Sequence, residues 1–287
     1  MTPPAVLPGL AALRRTLHMN LGAEILGYRQ GRPGLSNADG DNPVSVDLAA
    51  GMASRMQVPL REDAPAGQTC GTAFVRLTHE FLQEAFALLV HLRPGEWRWE
   101  IGGQIAAFAQ YEHLQRLERL LSLDPDLKTA LGSDHLISPD IVVSRMPILD
   151  QALNSRSPVV DDTVARLTPL RAGNPSNAPL LHASIACKWS IRSDRVQTSR
   201  SEALNLIRSR KGHLPHVVFV TAEPLPSRLA SIALGTGDLD CCYHAALTEL
   251  LSAADASPHR DAMELLRIMV EGRRIRDIAD LPLDLAC

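Results

Sequence analysis

Asp140, Lys188 and Glu202 are the residues whose types and surroundings point most directly to chemistry. Asp140 follows Pro139 at the start of a short β-branched run, Lys188 stands on the polar side of a predicted strand, and Glu202 lies on the helix beyond it. Two carboxylates supply hard oxygen donors for a divalent cation, while an ammonium beside them can orient or activate water and offset phosphate charge. Strand pairing can bring Asp140 and Lys188 side by side despite their separation in sequence. Glu202, seven residues from Arg195 and close to the same helix face, can turn back toward the end of the Lys188 strand. An Asp at a strand edge and a Lys on the next strand also make an ordinary salt bridge or a solvated edge, and local sequence leaves both readings open.

Lys188 opens the segment KWSIRSDR, at the junction between that strand and that helix. Arg192 and Arg195 can each present a two-pronged donor to guanine, and Asp194 can accept from cytosine N4 or hold an arginine in place. A surface Asp–Arg network with favourable charge at a helix start accounts for the same residues. Rival sites are poorer. Asp238 and Asp240 sit near Gly235 and Gly237, where turn and helix-cap roles suffice. His79, His91 and His113 are scattered, Cys241 and Cys242 lack a second ligand pair at zinc spacing, and GTG at 235 to 237 is too short for a dinucleotide-binding loop.

These residues need a scaffold, and periodicity supplies one. Phe74, Leu77, Phe81, Ala85, Leu88 and Leu92 recur at helical spacing and predict a helix from Thr72 to Leu92, stopped by Pro94. Further helices are expected over Val6 to Met19, Val46 to Met56, Ile105 to Leu121, Arg195 to Arg210, 238 to 253 and 260 to 270. Strands are expected at Trp97 to Ile101, around Ile141 to Val143, from Leu180 to Ser190 and from His216 to Thr221, where alternation or β-branching is clear. Gly27 to Pro43 and Asn154 to Ala178 are rich in turn formers, as is the PAGQT loop before the Thr72 helix. The expected architecture is one α/β domain over 1–287, a mixed central sheet flanked by helices, with an N-terminal helical and loop extension.

Composition narrows the class. With 287 residues, 45% hydrophobic and 21% charged, the chain is globular and neither fibrous nor disordered. The balance of 29 basic and 32 acidic residues gives a net charge of -3, so no global basic field advertises a polyanion, although a basic cleft is compatible with it. Five scattered cysteines without a Cys-x-x-Cys pair suit a reducing compartment. No export signal or bilayer-length apolar run is evident, so a soluble, cytoplasmic protein without a membrane partner is expected.

PDIVVSR at 139 to 145, LLHASIACKWSIRSDR at 180 to 195 and LPHVVFVTAEPLPSRLASIALGTG at 214 to 237 resemble the PD-(D/E)xK nuclease superfamily, specifically the group of type II restriction endonucleases that includes NgoMIV, Cfr10I and Bse634I. The resemblance runs from Ser36 to Leu285. It implies a magnesium-dependent enzyme that cuts duplex DNA at GCCGGC after the first G, leaving four-base 5′ overhangs. It also implies a homotetramer built as a dimer of dimers, and a cognate DNA methyltransferase as functional partner.

Residue by residue, the resemblance makes Asp140 the motif aspartate, Lys188 its lysine and Glu202 the acidic residue on the following helix, with Asp140 and Glu202 as metal ligands. Arg192, Asp194 and Arg195 match contacts to the central CCGG, Gln68 a minor-groove contact, and Asp39 and Arg228 the outer G:C pair. Two positions depart from the pattern. Ala186 stands where the superfamily is usually acidic and closer relatives carry a small hydroxyl residue, and Val75 stands where the group has a glutamate. Glu80, a candidate auxiliary catalytic carboxylate, lies roughly 140° around an ideal helix from Val75 and so does not simply replace it. A catalytically weakened, sequence-specific DNA-binding homologue is the alternative.

Overall fold

The computed structural model describes residues 7–124, 126, 129 and 137–287, apart from the side chains of 193–195. Six strands form one mixed sheet in the order β1-β2-β3-β4-β5-β6: β1 (Trp97–Ile101), β2 (Ile141–Arg145), β3 (Leu180–Lys188), β4 (His216–Thr221), β5 (Cys241–His244) and β6 (Ile275–Asp277). β1, β2 and β3 run antiparallel in succession, whereas β4, β5 and β6 run parallel. The expected mixed α/β sheet flanked by helices is therefore present. By packing, the chain divides into two compact units, each assembled from separate stretches: described residues up to 93 with 186–200 and 218–287, and residues of 94–185 with 201–217.

In the second unit the antiparallel strands set the register. Ile141 lies opposite Ile185 and Val143 opposite Ala183, with a bulge between Val143 and Ser144. Ile141, Val142 and Val143 are all buried, which is why this strand shows a β-branched run instead of alternation. The expected Ile105 to Leu121 helix is instead a short 3-10 turn, Ile105–Ala107, followed by a helix over Glu112–Leu123. The residues between carry polar groups that the core uses. The Gln110 amide accepts from Leu181 N–H (3.0 Å) and donates to its carbonyl (2.7 Å), and the Tyr111 hydroxyl donates to Leu206 O (3.0 Å). The loop excursion before β3 is pinned by buried Arg171, which grips Asp150 with two bonds of 2.6 Å and holds that carboxyl below its ordinary range.

In the first unit, Phe74, Leu77, Phe81, Leu82 and Ala85 form the buried stripe of the helix Gly67–Ala87, which packs on the helix Gly9–Glu24. It starts five residues before the expected Thr72, so Gln68 belongs to a helical first turn and not to the loop. It also ends at Ala87, before the expected Leu92. The helix Pro43–Met56 begins at an Asn42 cap that accepts Ser45 N–H at 3.2 Å, with Pro at the first helical position, and packs on the helix Leu247–Asp255.

The helix expected over 238–253 is a correction: Cys241–His244 is β5, and the helix begins only at Leu247. β5 pairs on both sides with parallel neighbours and all four residues are buried, so it lacks the alternation by which a half-exposed strand is read. β6 is too short to be seen from pattern. No helix among the described residues is long and apolar enough to cross a membrane.

Candidate active site and nucleic-acid interface

Asp140 sits in the bend immediately before β2, half-buried. Its carbonyl accepts the N–H of Gly102 at 2.8 Å, where β1 ends. Gly102 has φ +73 and Gly103 φ +139, and a Cβ on Gly103 would come within 3.2 Å of Val142, so glycine lets the chain leave β1 without crowding β2. Pro139 on the other side is buried. The backbone of Asp140 is thus tied to the end of β1 and flanked by a buried proline.

β3 carries the predicted alternation. Leu181, Ala183, Ile185 and Cys187, with Trp189 just beyond the strand, are buried, while Ala186 and Lys188 are half-buried on the other side. Lys188 is the last residue of the strand, and Glu202 is half-buried on the helix Ser193–Ser209, next to buried Ala203. Asp140, Lys188 and Glu202 each take part in polar interactions. No group of three or more His, Cys, Asp and Glu side chains among the described residues is arranged to hold a metal ion. As residue types, two carboxylates suit a small hard cation that completes its shell with water and phosphate oxygens, and an ammonium suits phosphate charge; Ala186 offers no oxygen.

Glu80 is engaged elsewhere. Its Oε1 accepts from Arg76 Nη1 at 2.8 Å, one turn back on the same helix, and Arg76 also pairs with Glu24. Val75 is half-buried on that helix and brings no polar group.

The segment between β3 and the following helix is clamped at its buried positions. Trp189 donates from Nε1 to Ser36 Oγ (3.2 Å) and lies against Phe74, ring centroids 5.3 Å apart. Ile191 is buried, and its N–H donates to Glu223 Oε2 at 2.8 Å. Ser190, between these anchors, is half-buried. Arg192 is exposed and its carbonyl accepts Val196 N–H (3.2 Å) as the helix begins. The backbone of Asp194 and Arg195 forms the first helical turn, and their side chains lie outside the described residues.

Asp39 and Arg228, far apart in sequence, form an ion pair. The loop that carries Asp39 is held by fully buried Ser36 and Asn37, whose side chains donate to Ile25 O (2.5 Å) and Ala222 O (2.8 Å). Arg228 lies in the first turn of the helix Pro226–Ala233, behind the Leu225 cap. Gln68 is exposed in the first turn of the helix Gly67–Ala87, where its carbonyl accepts from Thr72 Oγ1 at 3.2 Å. Asp238, read as a turn or helix-cap residue, lies in a bend where its Oδ1 accepts Leu239 N–H at 2.8 Å, and it also accepts from Arg200. Arg200 also donates to the carbonyls of Ser231 and Ile232, both at 3.1 Å with Ile232 through Nη2.

Sequence pattern alone does not single out Glu223 as a functional residue. The available signal was an acidic residue directly after the apolar run VVFVTA and between it and two prolines, a place where an unpaired charge is costly.

A family model described as NgoMIV restriction enzyme matches residues 17–287. The Type II restriction enzyme NgoMIV of Neisseria gonorrhoeae is 49% identical over 278 residues, covering 95% of this chain and 97% of that protein. The solved structure of Type IIF restriction endonuclease Bse634I with cognate DNA aligns with a TM-score of 0.34 and 14% identity, over 74% of this chain and 76% of that one.

Proposed function

Because the chain belongs to the NgoMIV restriction enzyme family, we propose that this restriction endonuclease hydrolyses duplex DNA at GCCGGC, after the first G of each strand, to leave four-base 5′ overhangs. The observation that carries the reading is 49% identity along nearly the whole chain to a type II restriction enzyme. Asp140, Lys188 and Glu202 fall in that matched region in an order and on elements that suit phosphodiester hydrolysis.

Asp140 and Glu202 are the residues that would hold magnesium, which when bound polarises a phosphate and makes water a better nucleophile. Lys188 orients the attacking water and stabilises negative charge that grows on the phosphate oxygens. Arg192, Asp194 and Arg195 read the central CCGG, the arginines as donors to guanine and the aspartate as acceptor or as orienting partner. Asp39 and Arg228 read the outer G:C pair and Gln68 contacts the minor groove. Glu80 has an auxiliary role at most, since Arg76 holds it. Assembly as a homotetramer, a dimer of dimers, and a methyltransferase that protects the host's own GCCGGC sites complete the proposed system, acting on DNA in the cytoplasm.

One observation favours a second reading. Ala186 and Val75 replace polar positions of the family pattern, and both are half-buried without offering an oxygen. A DNA-binding homologue with weakened catalysis has the same base-reading residues. Cleavage of matched duplexes with and without GCCGGC, with and without magnesium, followed by sequencing of the ends, separates the two. Specific cuts after the first G support the endonuclease. Tight GCCGGC binding without turnover supports the homologue, and cutting indifferent to the hexamer refutes the specificity.

A further inference from the structure

Glu223 is fully buried between the segment that leads into Arg192 and the helix start that bears Arg228. Oε2 accepts the N–H of Ile191 at 2.8 Å, one residue before Arg192. Oε1 accepts the N–H of Leu225 at 3.1 Å, the cap of the helix that carries Arg228 in its first turn. Arg228 Nη1 lies 3.8 Å from Oε2, while its Nη2 engages Asp39. The backbone of Glu223 is fixed in turn: its N–H donates to Thr221 Oγ1 (3.1 Å), and its carbonyl accepts from His244 Nε2 (3.0 Å).

Two features of this arrangement exceed what a space-filling loop residue needs. A neutral glutamine has one acceptor oxygen and one donor amide, so it cannot accept at both positions where Oε1 and Oε2 each receive an N–H. A carboxylate can, but taking it out of water is costly unless its charge is answered, and here two N–H groups and Arg228 answer it. Burial still pushes its pKa up to about 7.

We infer that Glu223 is a positioning residue for base recognition, setting the backbone ahead of Arg192 and the helix start that bears Arg228 from a single side chain, so that inner and outer base reading are coupled. This rests on the GCCGGC reading proposed above. The two arginines need not touch for the coupling to operate, because each is placed through the backbone or charge that Glu223 holds.

The test is competition binding in magnesium-free buffer at one salt concentration, using GCCGGC and duplexes substituted at one inner or one outer pair. Wild type is compared with Arg192→Ala, Arg228→Ala and Glu223→Gln, each checked for folding. Arg192→Ala is expected to lower inner-pair discrimination and Arg228→Ala outer-pair discrimination. Glu223→Gln is expected to lower both, each by roughly five- to tenfold, while binding to a duplex without the site changes by less than about twofold. A merely structural role would weaken all duplexes alike. Folded Glu223→Gln that keeps both ratios, or loses affinity uniformly, overturns the inference while leaving the site reading intact. Wild type that does not discriminate GCCGGC overturns both. If Glu223→Gln does not fold, Glu223→Asp, which keeps the charge but withdraws it by one methylene, is measured with the same expected and overturning results.

Discussion

Arg228 and Asp39 lie 189 positions apart in the chain and are ion-paired to each other. A cation and an anion proposed to read the two bases of the outer pair thus satisfy one another before DNA arrives, which keeps both oriented. Asp39→Ala is expected to free Arg228 and to lower discrimination at the outer pair by about tenfold, with the central CCGG still read. Binding to duplexes substituted singly at each position measures this, and an equal loss at inner and outer pairs would count against the assignment.

Arg192 is exposed immediately before a helix, and the residue ahead of it, Ile191, is locked in the core. Arg192→Ala is expected to cost discrimination at the central pairs, about 1–3 kcal/mol, more than it costs nonspecific affinity. Arg195→Ala and Asp194→Ala are expected to behave alike. Salt titrations of each variant check the distinction, because a phosphate contact changes the slope of affinity against salt whereas a base contact changes the ranking of duplexes.

Lys188→Ala and Asp140→Ala are each expected to reduce cleavage by at least about a hundredfold while cognate binding persists. Glu202→Ala should be similarly impaired, because Ala186 supplies no substitute carboxylate. Rates across a magnesium titration, alongside binding and a melting curve, decide the matter. Near-normal turnover by folded Lys188→Ala protein would remove Lys188 from the chemistry.

Glu223 and His244 make opposed contributions to stability as pH changes. Burial lowers the His244 pKa from 6.5 to about 4, and its Nδ1 accepts Ala246 N–H while Nε2 donates to Glu223 O, so the fold holds the neutral ring. As pH falls from 6.5 toward 4 the unfolded chain takes up a proton that the folded ring refuses, and stability drops. Glu223 has the reverse sign: burial raises its pKa from 4.5 to about 7, so the folded state takes up the proton first and gains stability as pH falls from 7 toward 4.5. The two shifts have opposite sign and oppose one another between pH 6.5 and 4.5. Arg228 and Asp39 are the charged neighbours of Glu223, and Asp277, Glu249 and Arg14 those of His244. Glu223→Gln is expected to lose stability on acidification over that window more steeply than wild type, and denaturant melts at pH 7 and pH 5 read the difference. Parallel pH profiles for the two proteins would contradict it.

Periodic features were readable without coordinates. The stripe from Phe74 to Ala85 and the alternation from Leu181 to Trp189 each bury one face, so their hydrophobic spacing states both the element and its orientation. β5 was misread because a strand buried on both faces has no alternation to display, and the interval from Ile105 to Tyr111 because Gln110 and Tyr111 leave the helical pattern to serve backbone groups on other segments.

The sequence by itself determined the family, through long matching segments around Asp140, Lys188 and Arg192, and the chemical types available at those positions. Tertiary structure decided the relationships between residues: that Asp39 pairs with Arg228, that Arg76 holds Glu80, that Gln68 is helical, and that Glu223 stands behind Ile191. Local pattern reports which face of an element is buried, because burial follows its period. It carries no record of which distant donor meets which acceptor, because those pairings are set by where the packed elements bring their ends.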